Sequence, residues 1–323
     1  MNQLVCRFCE SDFEVTEVDI SVEGFWCECC DGFTYFQGIA PGHNFTLILE
    51  NKNAPKAAIE KPTFKFSKRI SPLRYPGGKS KVIDYLYTHL EKSKTDTLVS
   101  PFTGGGSFEL AMLEAGVVKN LVMNDKDRGI YSLWQVILEE PEFIIEKLNG
   151  SLPTHDDFRE AQQLIKSNYD GADTRESAWA TLLVNRLAYS GIYKANPLGG
   201  KNGSQGALLS RWNPKDLTKR INKIHKMKDR IEIKNEDACE LIEEMYWIDN
   251  ATIFIDPPYV EKGKDLYHCY YKEGDHVKLA ELLDSLHHGC PGADIVLTYD
   301  YNEWLKDIYY HPNIEVAGTA YSI

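Results

Sequence analysis

The residues best placed to do chemistry are Asp256-Pro257-Pro258-Tyr259, which follow directly on the run Thr252-Ile253-Phe254-Ile255. A strand buried on both faces of an open α/β sheet delivers its carboxyl end to the crevice where such sheets bind ligands. Two prolines fix the backbone and donate no hydrogen bond. The carboxylate of Asp256 and the carbonyl of Pro257 are then two acceptors at a set spacing, which suits an NH2 group with two hydrogens to give. Accepting both would localise the nitrogen lone pair and aim it at an electrophile, while Tyr259 offers a flat face on which a base can stack. The plain alternative is a strand that ends in a proline turn.

A second constellation is Cys6-x2-Cys9-x17-Cys27-x2-Cys30. Two CxxC knuckles at this separation supply four thiolates for a tetrahedral zinc, and with Phe8, Phe25 and Trp26 they read as a zinc ribbon, Cys29 being a spare or swap ligand. A redox pair is the alternative. The remaining cysteines, Cys239, Cys269 and Cys290, are scattered and read as buried small residues. The first 30 residues carry acids and cysteines instead of a basic start and an apolar run, and no stretch approaches the ~20 apolar residues of a membrane span. These features predict a cytoplasmic protein with reduced thiols.

The elements that must position these groups follow from periodicity. Residues 1 to about 40 read as short β pieces, with alternation over Val15 to Val22, and the composition from Asn51 to Lys68 has little to bury. We therefore expect a zinc-ribbon-like module over 1–45 and a linker over 46–70. Helix over Lys79 to Lys92, strand at Thr97 to Val99, the glycine turn Gly104-Gly105-Gly106 and helix from Ser107 to Gly116 form a βα unit. Strand Leu121 to Met123 then ends at Asn124-Asp125, and helices are expected over Ile130 to Leu138, His155 to Asn168 and Thr174 to Tyr189. Such alternation predicts a mostly parallel sheet flanked by helices. Gly104 to Gly106 permits close backbone approach to a ligand at a helix start, and Asp125 stands where a dinucleotide-binding fold places the acid for a ribose diol. There is no internal repeat and no low-complexity tract.

From Ser190 to Pro214 the periodicity vanishes and glycines punctuate a polar stretch, which marks a functional or mobile insertion. The formal net charge of the chain is -12, yet Arg186 to Lys234 holds twelve Lys and Arg against Asp216, Asp229 and Glu232. This basic island in an acidic protein suits phosphate neutralisation by Arg186, Lys194, Arg211, Lys215, Lys219 and Arg220, with Tyr189 and Tyr193 able to stack or wedge. A solvated amphipathic helix over Lys219 to Lys234 would have the same composition.

In order along the chain, Arg74-Tyr75-Pro76-Gly77-Gly78-Lys79, Pro101 to Ser107, Asn124-Asp125, the segment Asn185 to Asn213 and Asp256 to Tyr259 resemble the motifs of the Dam-like, D12-class DNA adenine N6-methyltransferases. The resemblance runs from about Ser71 to the C-terminus and leaves out the first 60 or so residues. It implies a Rossmann-like α/β methyltransferase sheet over 71–150 and 235–323, with a helical and loop DNA-recognition insertion over 151–234, preceded by the zinc ribbon. S-adenosylmethionine is the implied cofactor, with Tyr75, Gly78, Lys79, Phe102, Gly104, Gly106, Asp125, Asp237 and Asp256 around it and zinc as a structural metal. Lys79 would fix its methionine carboxylate. Asp237 would hold its adenine amino group or simply cap a helix.

Double-stranded DNA is the implied partner, flipped adenine the substrate, and a bacterial or phage-infected cytoplasm the setting; a restriction enzyme or other partner protein could bind the ribbon. Two departures stand out. Ser100 replaces the acid that relatives carry before Pro101-Phe102, so the usual hydrogen bond to the cofactor's methionine end must come from elsewhere. The chain also stops about one strand short of many relatives, which suggests a trimmed sheet edge or a slightly weakened site. Cytosine N4 methylation suits the same acceptors, and a non-catalytic zinc-ribbon DNA-binding protein on a decayed methyltransferase fold is the reading from another class.

Overall fold

The computed structural model describes residues 3–5, 12–14, 24–27, 32–35 and 45–51, positions 54 and 62, and residues 65–318 apart from 94, 249, 289–291 and 311. Two small antiparallel pairs come first: β1 (Gln3–Val5) with β2 (Asp12–Glu14), and β3 (Gly24–Cys27) with β4 (Gly32–Tyr35). The alternating run Val15 to Val22 and the ligand candidates Cys6, Cys9 and Cys30 lie outside the described residues, and of Cys27 only the backbone is placed.

The main body is a seven-stranded sheet built from β5 (Phe45–Asn51), β6 (Thr97–Ser100), β7 (Asn120–Asn124), β8 (Ile231–Lys234), β9 (Ala251–Ile255), β10 (Asp294–Asp300) and β11 (Asn313–Gly318). Its order is β11-β5-β10-β9-β6-β7-β8, and each of these neighbouring pairs is parallel. The helices are α1 (Ile83–Ser93), α2 (Ser107–Glu114), α3 (Arg128–Glu139), α4 (Pro141–Asn149), α5 (His155–Lys166), α6 (Thr174–Leu187), α7 (Gln205–Leu208), α8 (Pro214–His225), α9 (Ala238–Met245), α10 (Gly263–Leu266), α11 (Glu273–His288) and α12 (Trp304–Ile308).

Side chains alternate across each inner strand, and both faces are covered. Leu98, Leu121, Phe254, Val296 and Ile48 pack with α1, α2, α3, α4 and α8, whereas Val99, Val122, Ile253, Ile295 and Leu47 pack with α9, α11 and α12. A third core, between α5 and α6, holds Phe158, Ile165, Tyr169 and Leu183. Two capping boxes start those helices, Thr154 with Asp157 and Asp173 with Glu176.

Three expectations are corrected here. The linker expected over 46–70 begins with a buried sheet strand instead, because Phe45-Thr46-Leu47-Ile48-Leu49 finds partners on both sides in β10 and β11. The insertion expected over 151–234 yields residues 231–234 to β8, and the helix expected up to Lys234 ends at His225. Helix α4, which periodicity does not single out, starts with Pro141 at its first turn, where a missing N–H costs nothing.

Candidate active site

Strand β9 delivers Asp256 to the carboxyl edge of the sheet next to β6, where the chain turns to opposite sides, β7 and β8 on one and β9 to β11 on the other. Thr298 of β10 donates to Asp256 Oδ1 at 2.8 Å, and Lys79 Nζ lies 2.7 Å from the same oxygen. Lys79 opens a single 3-10 turn after Gly78 and is only 3% exposed. Its ammonium also lies 3.1 Å from Glu50 at the end of β5 and donates to the Gly77 carbonyl. Lys79, expected as the anchor of a cofactor carboxylate, lines the cavity described below and bridges Glu50, Asp256 and the Gly77 carbonyl. Burial pushes the Asp256 carboxyl above the usual carboxylate range, and Lys79 draws it back down.

Pro258 and Asp256 face a cavity of about 420 Å3, within the range of small-molecule sites. Pro257 is buried, and Tyr259 stands beside the cavity with its ring edge-on to Tyr267, 6.0 Å between centroids. Tyr75, Phe102, Tyr267 and Tyr271 form aromatic walls, Tyr75 and Tyr267 stacking at 5.6 Å. The glycine turn wraps Tyr75 closely: a Cβ on Gly104 would meet its ring at 2.6 Å, and one on Gly105 would meet its Cβ at 2.8 Å. Gly106, at φ +56°, starts α2.

Asp125 lies opposite, its two oxygens accepting the backbone N–H groups of Gly104 at 2.8 Å and Asp127 at 2.9 Å. Burial, with the charge of Asp127, pushes its carboxyl up to about 7. Asn124 staples the loops after β6 and β8, donating to Pro101 O and accepting from Glu236 N. Asp237 caps α9 by accepting from Cys239 N and does not line the cavity. Size, aromatic walls, a glycine cradle and a fixed diol acceptor together fit S-adenosylmethionine.

Glu109, which no sequence motif marks, lines this cavity from α2. It is 3% exposed, accepts from Ser100 Oγ at 2.7 Å, and is pushed up to about 7 by burial. The signal for it is a single acid in the otherwise apolar helical run Phe108 to Leu113.

The basic island divides in two. Lys194, Arg211, Lys215 and Lys219 are exposed. Arg186 is buried and donates to the carbonyls of Arg211 and Pro72, while Arg220 donates to Ser71 O and pairs with Asp216. Expected as phosphate contacts, these two are corrected to framework residues that satisfy the carbonyls of the segment leading into Tyr75. Asn185 completes the clamp, accepting from Arg74 N at 2.8 Å and donating to Arg74 O at 2.9 Å. Next to them Tyr189 is 61% exposed and Ser190 takes φ +56°. Among the described residues no His, Cys, Asp or Glu group is arranged to hold a metal, and no helix is long and apolar enough to cross a membrane.

A parallel sheet with a glycine cradle, a diol acceptor and a carboxylate-proline turn on one cavity defines an α/β group-transfer enzyme of the Rossmann-like methyltransferase class. Residues 75–323 match the D12 class N6 adenine-specific DNA methyltransferases, and the chain belongs to that family. It is also similar to a type II methyltransferase, M.CviBI of Paramecium bursaria Chlorella virus NC1A, at 21% identity over 245 residues, which is 75% of this chain and 88% of the relative.

Proposed function

We propose that the chain methylates the N6 amino group of an adenine flipped out of duplex DNA, with Asp256, Pro257, Pro258 and Tyr259 as the catalytic turn. The observation that carries this reading is Asp256, clamped by Lys79 and Thr298 on the wall of the cavity that also holds Asp125. Asp256 and the Pro257 carbonyl accept the two N–H bonds of the target amine and leave its lone pair directed outward. Tyr259, edge-on to Tyr267, supplies a face for the extruded base. Asp125 binds the ribose diol, and Tyr75, Gly78, Phe102, Gly104 and Gly106 enclose the rest of the cofactor. S-adenosylmethionine supplies a methyl group already activated on a sulfonium, so positioning contributes most of the rate and no strong base is needed.

Exposed Lys194, Arg211, Lys215 and Lys219 neutralise phosphates along the duplex. Cys6, Cys9, Cys27 and Cys30 bind one structural zinc, supported by their spacing, and the ribbon engages DNA or a partner such as a restriction enzyme, the latter in keeping with the type II name of the viral relative. Nucleoside mass spectrometry of duplex DNA incubated with the purified chain and S-adenosylmethionine tests the activity. N6-methyladenine is expected, falling roughly a hundred- to thousandfold in Asp256→Ala at saturating cofactor. N4-methylcytosine would replace the adenine reading. Cofactor binding without any methylated base would leave the non-catalytic alternative standing.

A further inference from the structure

We propose that Glu109 is the residue that receives the ammonium group at the methionine end of the cofactor, and that Ser100 positions it. The inference rests on the cofactor reading above. Ser100 ends β6, so that strand end alone has no charge to offer. The hydroxyl of Ser100 is buried and donates to Glu109 Oε1 at 2.7 Å, which ties the strand end to a carboxylate from the third position of α2.

Glu109 has no evident structural reason to be ionisable where it is. An acid at the start of a helix does serve the dipole, but it does so from solvent, and burying it costs free energy unless a partner compensates. The backbone N–H of Glu109 itself and the Ser100 hydroxyl compensate only in part. Lys79, whose charge acts on Glu109, is already held between Glu50 and Asp256. Asp256 repels Glu109, and Asp125 adds a further carboxylate to the wall. Lys126 and Lys272 also line the cavity. Three carboxylates, Glu109, Asp125 and Asp256, and three lysines, Lys79, Lys126 and Lys272, thus line the cavity, and because Lys79 is taken up by Glu50 and Asp256, the buried Glu109 carboxyl gains from a ligand that brings its own cation. An ammonium group meets that need, and a carboxylate or a neutral end would not.

Calorimetric titration of the full chain with two ligands tests this. S-adenosylhomocysteine carries the amino-acid end; 5′-methylthioadenosine shares the nucleoside and lacks that end. Glu109→Gln keeps the shape and should weaken S-adenosylhomocysteine binding by about ten- to a hundredfold, the scale of one charge-assisted hydrogen bond, with methylthioadenosine unchanged. Ser100→Ala should weaken the same ligand by a smaller factor. Ser100→Asp in the Glu109→Gln background should restore part of it, because it places a carboxylate next to the one removed. Equal losses for both ligands in Glu109→Gln would make Glu109 merely structural and overturn the proposal, as would no loss for either. Wild-type protein that binds neither ligand would overturn the cofactor reading and this inference with it.

Discussion

Replacing Lys79 by Met removes the ammonium lying 3.1 Å from Glu50 and 2.7 Å from Asp256 at a position that is 3% exposed. Two carboxylates would then share a buried site with no cation between them. Removing one partner of a buried ion pair costs about 3–5 kcal/mol while the remaining charge stays ionised. The variant escapes part of that cost by keeping a proton on Asp256, whose carboxyl burial already raises and Lys79 now lowers. The folded variant then holds a proton that the unfolded chain releases near pH 4. Its penalty is therefore small below about pH 4 and grows by about 1.4 kcal/mol per pH unit until the raised folded pKa is passed. Urea denaturation of both proteins at about pH 5.5 and about pH 8 measures this. At the upper end of the usual slope, about 3 kcal/mol per molar, the variant's midpoint should fall by about 1–2 M at the higher pH and by about 0.7 M at the lower. An equal fall at both values would refute the charge argument and leave packing as the contribution of Lys79.

Changing Lys194, Lys215 and Lys219 together to Ala should weaken binding to every duplex alike and flatten its salt dependence by up to about one log unit for each phosphate no longer neutralised, as filter binding at several salt concentrations would show. Arg186→Ala should instead leave that slope alone and lower stability by about 1–3 kcal/mol, because buried carbonyls lose their donor. Metal analysis of purified protein should find about one zinc per chain, lost in Cys6→Ser; a metal-free protein with the same thermal transition would count against the ribbon. Leu47→Ala in β5 should cost about 2–5 kcal/mol in denaturant titrations, as for other fully buried leucines. A cost under about 0.5 kcal/mol would mean that β5 does not belong to the sheet.

What can be read from the sequence is what local pattern encodes. Gly106 before an apolar helix, Asp125 after an apolar strand and Asp256 after another each announce a strand end within a few residues. Glu50 announces nothing of the kind, because its place beside Lys79 depends on β5 pairing with β10, far along the chain. Charge misleads for a related reason: Arg186 and Arg220 count as surface cations in any composition, and only packing turns them toward the carbonyls of Pro72 and Ser71. Glu109 is visible as a lone acid in an apolar helix, but in sequence its partner Ser100 shows only as a missing charge. Helix α4 carries its own signal in Pro141, hidden by the apolar run of α3 that ends just before it.

The placement of β5 also imposes a timetable on synthesis. Phe45 pairs with Ile295, about 250 residues later, and Thr46 with Asn313 beyond that. At roughly 5–20 residues per second, the strand leaves the ribosome some ten to fifty seconds before its first partner exists. During that interval an apolar segment with two open edges is exposed, the kind of stretch that invites self-association or a holding chaperone. Closing so long a loop costs roughly 5 kcal/mol of chain entropy, which only the joint arrival of β10 and β11 offsets. Glu50 travels with β5, so a nascent chain can complete its nucleotide-side loops early yet acquires the Glu50–Lys79–Asp256 bridge last, and a stalled or truncated product would be left without it.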